Sequence, residues 1–251
     1  MAGGEALGMI EVRALTDHSE LEEAVRLQRE IWGFAEIELL PVRLFVVATK
    51  VGGQVFGAFD GSRMIAFLLA IPGMKPGGSS YLHSHMMGVL AEYRNKGVGR
   101  LLKLRQREEA IARGVEIVEW TFDPLELKNA FFNVERLGAV IRRYVLNQYG
   151  TTTSHLHGGL PTDRCVAEWH VSSDRVARIL AGQKPEERIE ARIEVPEEIA
   201  TLRIEQPELA RKIQSRVSES FLEYLRSGLA VTGFERGATS GAYLLSRWES
   251  D

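Results

Sequence analysis

The densest chemistry in the chain lies in one short run, Arg94-Asn95-Lys96-Gly97-Val98-Gly99-Arg100. Glycines let the backbone turn tightly and aim successive N–H groups at one point, and the N-terminus of a following helix adds partial positive charge there. Arg94, Lys96 and Arg100 bring three full positive charges to the same place. The construction suits a phosphate or pyrophosphate. A plain strand-to-helix connection needs one glycine, not two spaced by one residue with bases on both sides. A magnesium-nucleotide loop needs GxxxxGK followed by Ser or Thr, which is absent here. The dinucleotide fingerprint GxGxxG stops after Gly97-Val98-Gly99.

The elements on either side fit this reading. Tyr81 to Leu90 is apolar or aromatic at most positions and reads as a strand, and Val98, Leu101, Leu102, Leu104 and Ile111 mark a helix after the loop. Upstream, Ile10 to Leu15 alternates as a half-buried strand, Asp17 or Ser19 caps a helix to about Trp32, and Pro41 starts a second helix ended by Gly52-Gly53. Gln54 to Phe59 and Arg63 to Ile71 form a hairpin around Asp60-Gly61. Downstream come a strand at Val115 to Phe122, a helix at Pro124 to Leu137 closed by Gly138, and strands at Ala139 to Tyr149 and Cys165 to Val171. The order is strand, helix, helix, three strands, helix, strand, helix, strand, strand. Such alternation predicts an α/β protein in which helices cover a sheet.

The loop, read as Arg94-x-x-Gly97-x-Gly99, resembles the Arg/Gln-x-x-Gly-x-Gly/Ala signature of the GNAT acyl-CoA N-acyltransferase superfamily. The lead-in Gly88-Val89-Leu90-Ala91-Glu92-Tyr93 is similar to that family's approach to the loop, with Ala91 where proline is usual. The resemblance covers Ile10 to Val171 and implies a GNAT-like fold of α+β type, with a mixed sheet whose central strands splay into a cleft. The runs RNKGVGRLL, WTFDPLELKNAFFN and GLPTDR look like a subgroup of predicted bacterial GNAT proteins.

The resemblance implies acetyl-CoA or another acyl-CoA as cosubstrate, with its pyrophosphate on Arg94, Asn95, Lys96, Gly97, Val98, Gly99 and Arg100. Its pantetheine arm would pair with backbone at Met87 and Val89, where the family's strand is bulged, and meet Asn129. The family's acidic tyrosine, four residues before the helix-closing glycine, is replaced by Val134. Asn133, Tyr144 or Tyr149 then serves the sulfur, or the thiolate leaves unaided. An ammonium acceptor must lose a proton before attack. Period-two alternation puts Tyr81, His83, His85 and Met87 on one face, and Glu119, Thr121 and Asp123 on a face of the next strand. His85 is the candidate base and Glu119 the carboxylate alternative; Asp123, before Pro124, is expected to cap a helix. Arg164 is the candidate for a substrate carboxylate, with an internal pair to Asp163 the ordinary alternative. The pairs His83/His85 and His155/His157 invite a metal, but neither has an acidic or cysteine ligand at a familiar spacing, and none is expected.

Composition bounds the function. The 251 residues are 45% hydrophobic and 26% charged, as in an ordinary globular protein. A net charge of −3 argues against a nucleic-acid partner and for a small-molecule amine, such as an amino acid. The single cysteine, Cys165, and the absence of an export signal point to the cytoplasm, and no apolar run is long enough to span a membrane. Residues 1–9 read as a disordered tail, 10–171 as the acyltransferase domain, and 172–251 as a C-terminal extension packed on it. The extension carries a strand at Glu190 to Val195, a helix at Pro207 to Ser227 and a closing hairpin, lending a pocket wall or a homodimer surface. The rival function is a non-catalytic acyl-CoA-binding or sensor module.

Overall fold

The computed structural model describes residues 9–150 and 160–248. The expected tail, apart from Met9, and the His155/His157 pair lie outside the described residues. The architecture is α/β, in the expected element order as far as Val171. Two compact units divide at Val118/Glu119, inside strand β5 (Ile117–Phe122), whereas the sequence suggested a boundary after Val171.

In the first unit β1 (Glu11–Ala14), β2 (Gln54–Asp60), β3 (Arg63–Met74) and β4 (Ser80–Val89) pair antiparallel in chain order. Helices α1 (His18–Trp32), α2 (Val42–Lys50) and α3 (Val98–Ala112) cover them. The core is apolar and tight: Leu27, Phe45, Phe56, Phe67, Leu68 and Leu69 are fully buried. α1 turns Leu21, Ala24 and Leu27 inward at helical spacing, and Gly33 ends it at φ +64°. Buried Gln28 pins the connection to α2, donating from Nε2 to Leu40 C=O (3.1 Å) and accepting from Leu40 N–H (3.0 Å).

A second buried polar group links α3 to the sheet. Lys103 Nζ donates to Ser84 Oγ (2.9 Å) and Gln106 Oε1 (3.0 Å), and Gln106 Nε2 donates to Gln54 Oε1 (3.2 Å). Burial pushes the Lys103 ammonium far below its ordinary pKa.

The second unit carries the strand order β5, β7 (Arg164–His170), β6 (Val140–Val145), β9 (Leu229–Arg236), β10 (Ser240–Arg247) and β8 (Ala191–Pro196). Its helices are α4 (Leu127–Phe131), α5 (Asp174–Leu180), α6 (Ile199–Glu205) and α7 (Pro207–Arg226). Residues 119–171 and the C-terminal extension share one core here. Phe221 of α7, fully buried, stacks on Tyr144 at 4.8 Å and meets Tyr243 edge-on at 5.0 Å. The Tyr243 hydroxyl donates to Pro124 C=O (2.6 Å), and Arg203 of α6 pairs with Asp123 (2.7 Å).

Two elements differ from expectation. The helix anticipated from Pro124 to Leu137 is α-helical only over Leu127–Phe131 and then widens into a π turn, Phe132–Arg136. Helix α6 was not anticipated, because inward-facing Arg203 interrupts its apolar stripe. Among the described residues no helix is long and apolar enough to cross a membrane.

Candidate functional site

The loop before α3 has the backbone an anion site requires. Asn95 (φ +61°) and Gly97 (φ +85°) are both left-handed, a pattern that turns neighbouring N–H groups toward one side. The first hydrogen bond of α3 runs from Arg100 N–H to Gly97 C=O (2.9 Å), so the N–H groups of Val98 and Gly99 precede the helix ladder. A Cβ placed on Gly97 meets no protein atom within 4 Å, so the glycine is required for its backbone angle, not for space inside the protein. Gly99 lacks a positive φ, and a Cβ there lies 3.4 Å from Met87 Cε, an ordinary contact.

The three loop cations are not equivalent. Arg94 braces the fold, donating from Nε to Val89 C=O (3.1 Å) and from Nη2 to Ile31 C=O (3.4 Å). Lys96 Nζ sits 5.5 Å over the Tyr93 ring, whose hydroxyl donates to Asp60 (2.8 Å). Arg100 is partly buried in the first turn of α3, and Val98 is fully buried beneath it.

Strand β4 contains a bulge. Leu69 pairs with Met86 and Ala70 with Ser84, so His85 is the extra residue, without a Cα partner on β3. The bulge changes the face of every later residue. Ser84 faces α3 through its bond to Lys103, and Met87 and Val89 also face α3, beside Gly99. Gly88 faces α1, where a Cβ would strike Ile31 and Trp32. The expected alignment of His83, His85 and Met87 on one face is therefore broken at Met87, because unbroken alternation ignores the inserted residue. His83 and His85 remain neighbours, with ring centroids 5.8 Å apart. The His85 ring is exposed, yet the surrounding protein desolvates it enough to lower its pKa below the ordinary histidine value. Desolvation thus favours its neutral form.

The remaining candidates lie in the second unit. Glu119 is buried and accepts from Arg143 Nη2 (2.6 Å). Asn129 is exposed on α4. Asn133 is buried in the π turn, its C=O accepting from Ala139 N–H (3.0 Å), and Val134 is buried beside it. Tyr144 hydrogen-bonds Ser218 (2.9 Å), and burial first of all raises its pKa, so its proton is firmly held. Tyr149 is exposed and shares a hydrogen bond with Thr121 (2.9 Å). Arg164 is buried, donates to the backbone carbonyl of Asp163 (2.9 Å) and lies over the Tyr149 ring. The Asp163 carboxylate accepts from Ser218 (2.7 Å) and from Asn147 N–H (2.9 Å). Asp123 accepts from Leu125 N–H (2.9 Å), a short turn ahead of α4, besides pairing with Arg203.

Sequence reasoning passed over Arg142 and Arg143. Their signal was two consecutive charges inside the otherwise apolar strand pattern VIRRYV. Among the described residues, no group of three or more His, Cys, Asp and Glu side chains is placed to hold a metal.

Residues 16–138 match the model of the acetyltransferase (GNAT) family. No curated protein sequence matches the chain. The fold is similar to the ribosomal-protein-S18-alanine N-acetyltransferase of Escherichia coli, at 18% identity and TM-score 0.51 over 66% of this chain and 96% of that one. It is also similar to Arabidopsis thaliana NAA60 in complex with acetyl-CoA, at 16% identity and TM-score 0.53 over 66% of this chain and 100% of that one. At such identities the likeness speaks for the fold. Together with the family match and the Arg94-to-Gly99 loop, it shows that the chain carries a domain of the acetyltransferase (GNAT) family, the acyl-CoA N-acyltransferases.

Proposed function

We propose that this acyl-CoA N-acyltransferase acylates the amine of a small molecule, with the Asn95-to-Arg100 backbone as the pyrophosphate seat and His85 as the base. The observation that carries the reading is the bulge at His85. It puts an imidazole whose neutral form is favoured by desolvation at an unpaired position of the strand whose far end leads into the left-handed loop. The residues fit coenzyme A: the loop offers N–H groups and helix-terminal charge, and open space lies beyond Gly97.

Acyl-CoA supplies a thioester carbonyl and a leaving thiolate, tolerable on its own given a thiol pKa near ~8.5. His85 takes the proton that the ammonium acceptor gives up, freeing the nitrogen lone pair to form the amide bond as the carbon–sulfur bond breaks. Tyr144, locked to Ser218, is a poor proton donor, and the thiolate needs none to leave. Donor size, acetyl or longer or succinyl-type, is open to the same assay.

Thiol release from acetyl-CoA and succinyl-CoA is measured against amino acids, simple amines and short peptides with free N-termini. Turnover of small amines over peptides is expected. The peptides are included because several similar folds are of protein N-terminal acetyltransferases, one solved with a CoA–peptide bisubstrate analogue. Peptide turnover alone moves the acceptor to protein N-termini. Coenzyme A binding with no turnover on any acceptor favours the sensor module.

A further inference from the structure

We propose that Arg142 and Arg143 form an anion site on the sheet of the second unit, and that its ligand is the carboxylate of a small monoanion. In a regular strand consecutive side chains point to opposite faces. Here the ladder runs Ile141 to Ala167 and then Arg143 to Val166, so Arg142 is an inserted residue and both arginines reach the same carboxylate.

The arginines are held from behind. Glu168, 2% exposed, accepts from Nε (2.8 Å) and Nη2 of Arg142 and from Nε of Arg143 (3.2 Å). Glu119, 5% exposed, accepts from Nη2 of Arg143 (2.6 Å). Arg142 thus spends its Nε–Nη2 edge on Glu168, and Arg143 divides its own between Glu168 and Glu119. Their Nη1 groups have no partner among the described residues, and the side chains stay 38% and 52% exposed. Burial works to raise the Glu168 pKa, but the Arg142 and Arg143 hydrogen bonds and charges outweigh it and keep the carboxylate ionised.

Structural arginines in the same unit look different. Arg175 pairs with Glu187 and Arg203 with Asp123, and both are almost wholly buried. Arg142 and Arg143 are equally anchored yet open, which is the arrangement of a pre-organised binding site. A guanidinium edge matches a carboxylate in plane and spacing. Two arginines balanced by two glutamates give directed donors with little net field, which suits a monoanion better than a phosphate dianion. Glu119 is then a positioning residue for Arg143, not a base.

Isothermal titration of the full chain with sodium N-acetylglycine, N-acetylglycinamide and inorganic phosphate tests the site. The wild type is compared with Arg142→Gln and with Arg143→Lys, which leaves Glu119 a cationic partner; thermal unfolding checks that each variant folds. The acid is expected to bind roughly 10–100-fold tighter than the amide in the wild type, the usual worth of hydrogen bonds to a charged group. That preference should shrink to about threefold in both variants. Equal binding of acid and amide by the wild type, an intact preference in the variants, or tighter binding of phosphate overturns the proposal. Acid preference without turnover of any small amine refutes the small-amine reading and leaves the anion site standing.

Discussion

Replacing Gly97 and Gly99 separately by alanine tests the phosphate loop, because the structure gives the two glycines different jobs. Gly97 is held at φ +85°, where an L side chain costs roughly 1–2 kcal/mol. The added methyl touches nothing within 4 Å, so no packing gain offsets that cost. If the loop keeps its shape, the strain lowers Tm by roughly 2–8 °C for a chain of this length. If it relaxes to negative φ, stability is kept but the competent loop becomes a minority, and apparent coenzyme A affinity falls about 5–30-fold. Gly99→Ala adds a methyl 3.4 Å from the flexible end of Met87 and gains roughly 0.5–1 kcal/mol of helix preference. Its coenzyme A affinity should stay within about threefold, with Tm unchanged or higher. Scanning fluorimetry and isothermal titration with coenzyme A read the two quantities. Gly97→Ala with wild-type Tm and affinity refutes the reasoning, as does a Gly99→Ala variant that binds more weakly than Gly97→Ala.

Four other outcomes are expected. His85→Ala should lower turnover on an accepted amine about 10²–10⁴-fold while coenzyme A affinity barely moves, because the phosphate seat is backbone; a fully active variant removes His85 from the reaction. A base works in its neutral form, so kcat/KM should rise with pH through the His85 pKa, and the downward shift from desolvation puts that limb below the ordinary histidine range. The limb should vanish in His85→Ala, and its persistence assigns it to another group. Phe221→Ala should cost roughly 3–5 kcal/mol in urea unfolding, since the ring is fully buried between Tyr144 and Tyr243. Ending the chain after Val171 removes that ring and Tyr243 together and should yield aggregate on size exclusion; a monodisperse, active fragment refutes the shared core.

What the sequence disclosed about the site is what residue type encodes locally. A left-handed turn needs glycine or asparagine, and Asn95 and Gly97 are where the backbone is left-handed. Helix ends were legible for the same reason, at Gly33 and at Pro41. The π turn at Phe132–Arg136 was not, because widening a helix by one residue per turn alters no residue preference. The bonds of Arg94 to the backbone of Ile31 and Val89 were not legible either, because nothing near Arg94 in the chain announces an acceptor 63 residues away. Arg164 likewise reads as an open fork in sequence and is buried in the fold.

The two strand insertions show where local reading stops and why it matters for chemistry. Which face a strand residue takes depends on its count from the last paired position, and that count is set by the partner strand. Leu69 and Ala70 on β3 determine that His85 is skipped, and Val166 and Ala167 on β7 determine that Arg142 is skipped. In both strands the skipped residue is polar within a mostly apolar run, and an apolar side chain there would gain nothing by leaving the packed alternation. A skipped residue keeps its strand yet frees its backbone from the ladder and its side chain from the face that parity would assign. The same device therefore produces the unpaired imidazole of His85 and the twin guanidinium groups of Arg142 and Arg143. Closing the bulge with Arg142 kept in the ladder would slip the later pairs by one residue, send Tyr144 and the residues after it to the opposite faces, and break the Tyr144–Phe221 stack. That cost, at a fully buried aromatic, is why the insertion is part of the fold and not a tolerated irregularity.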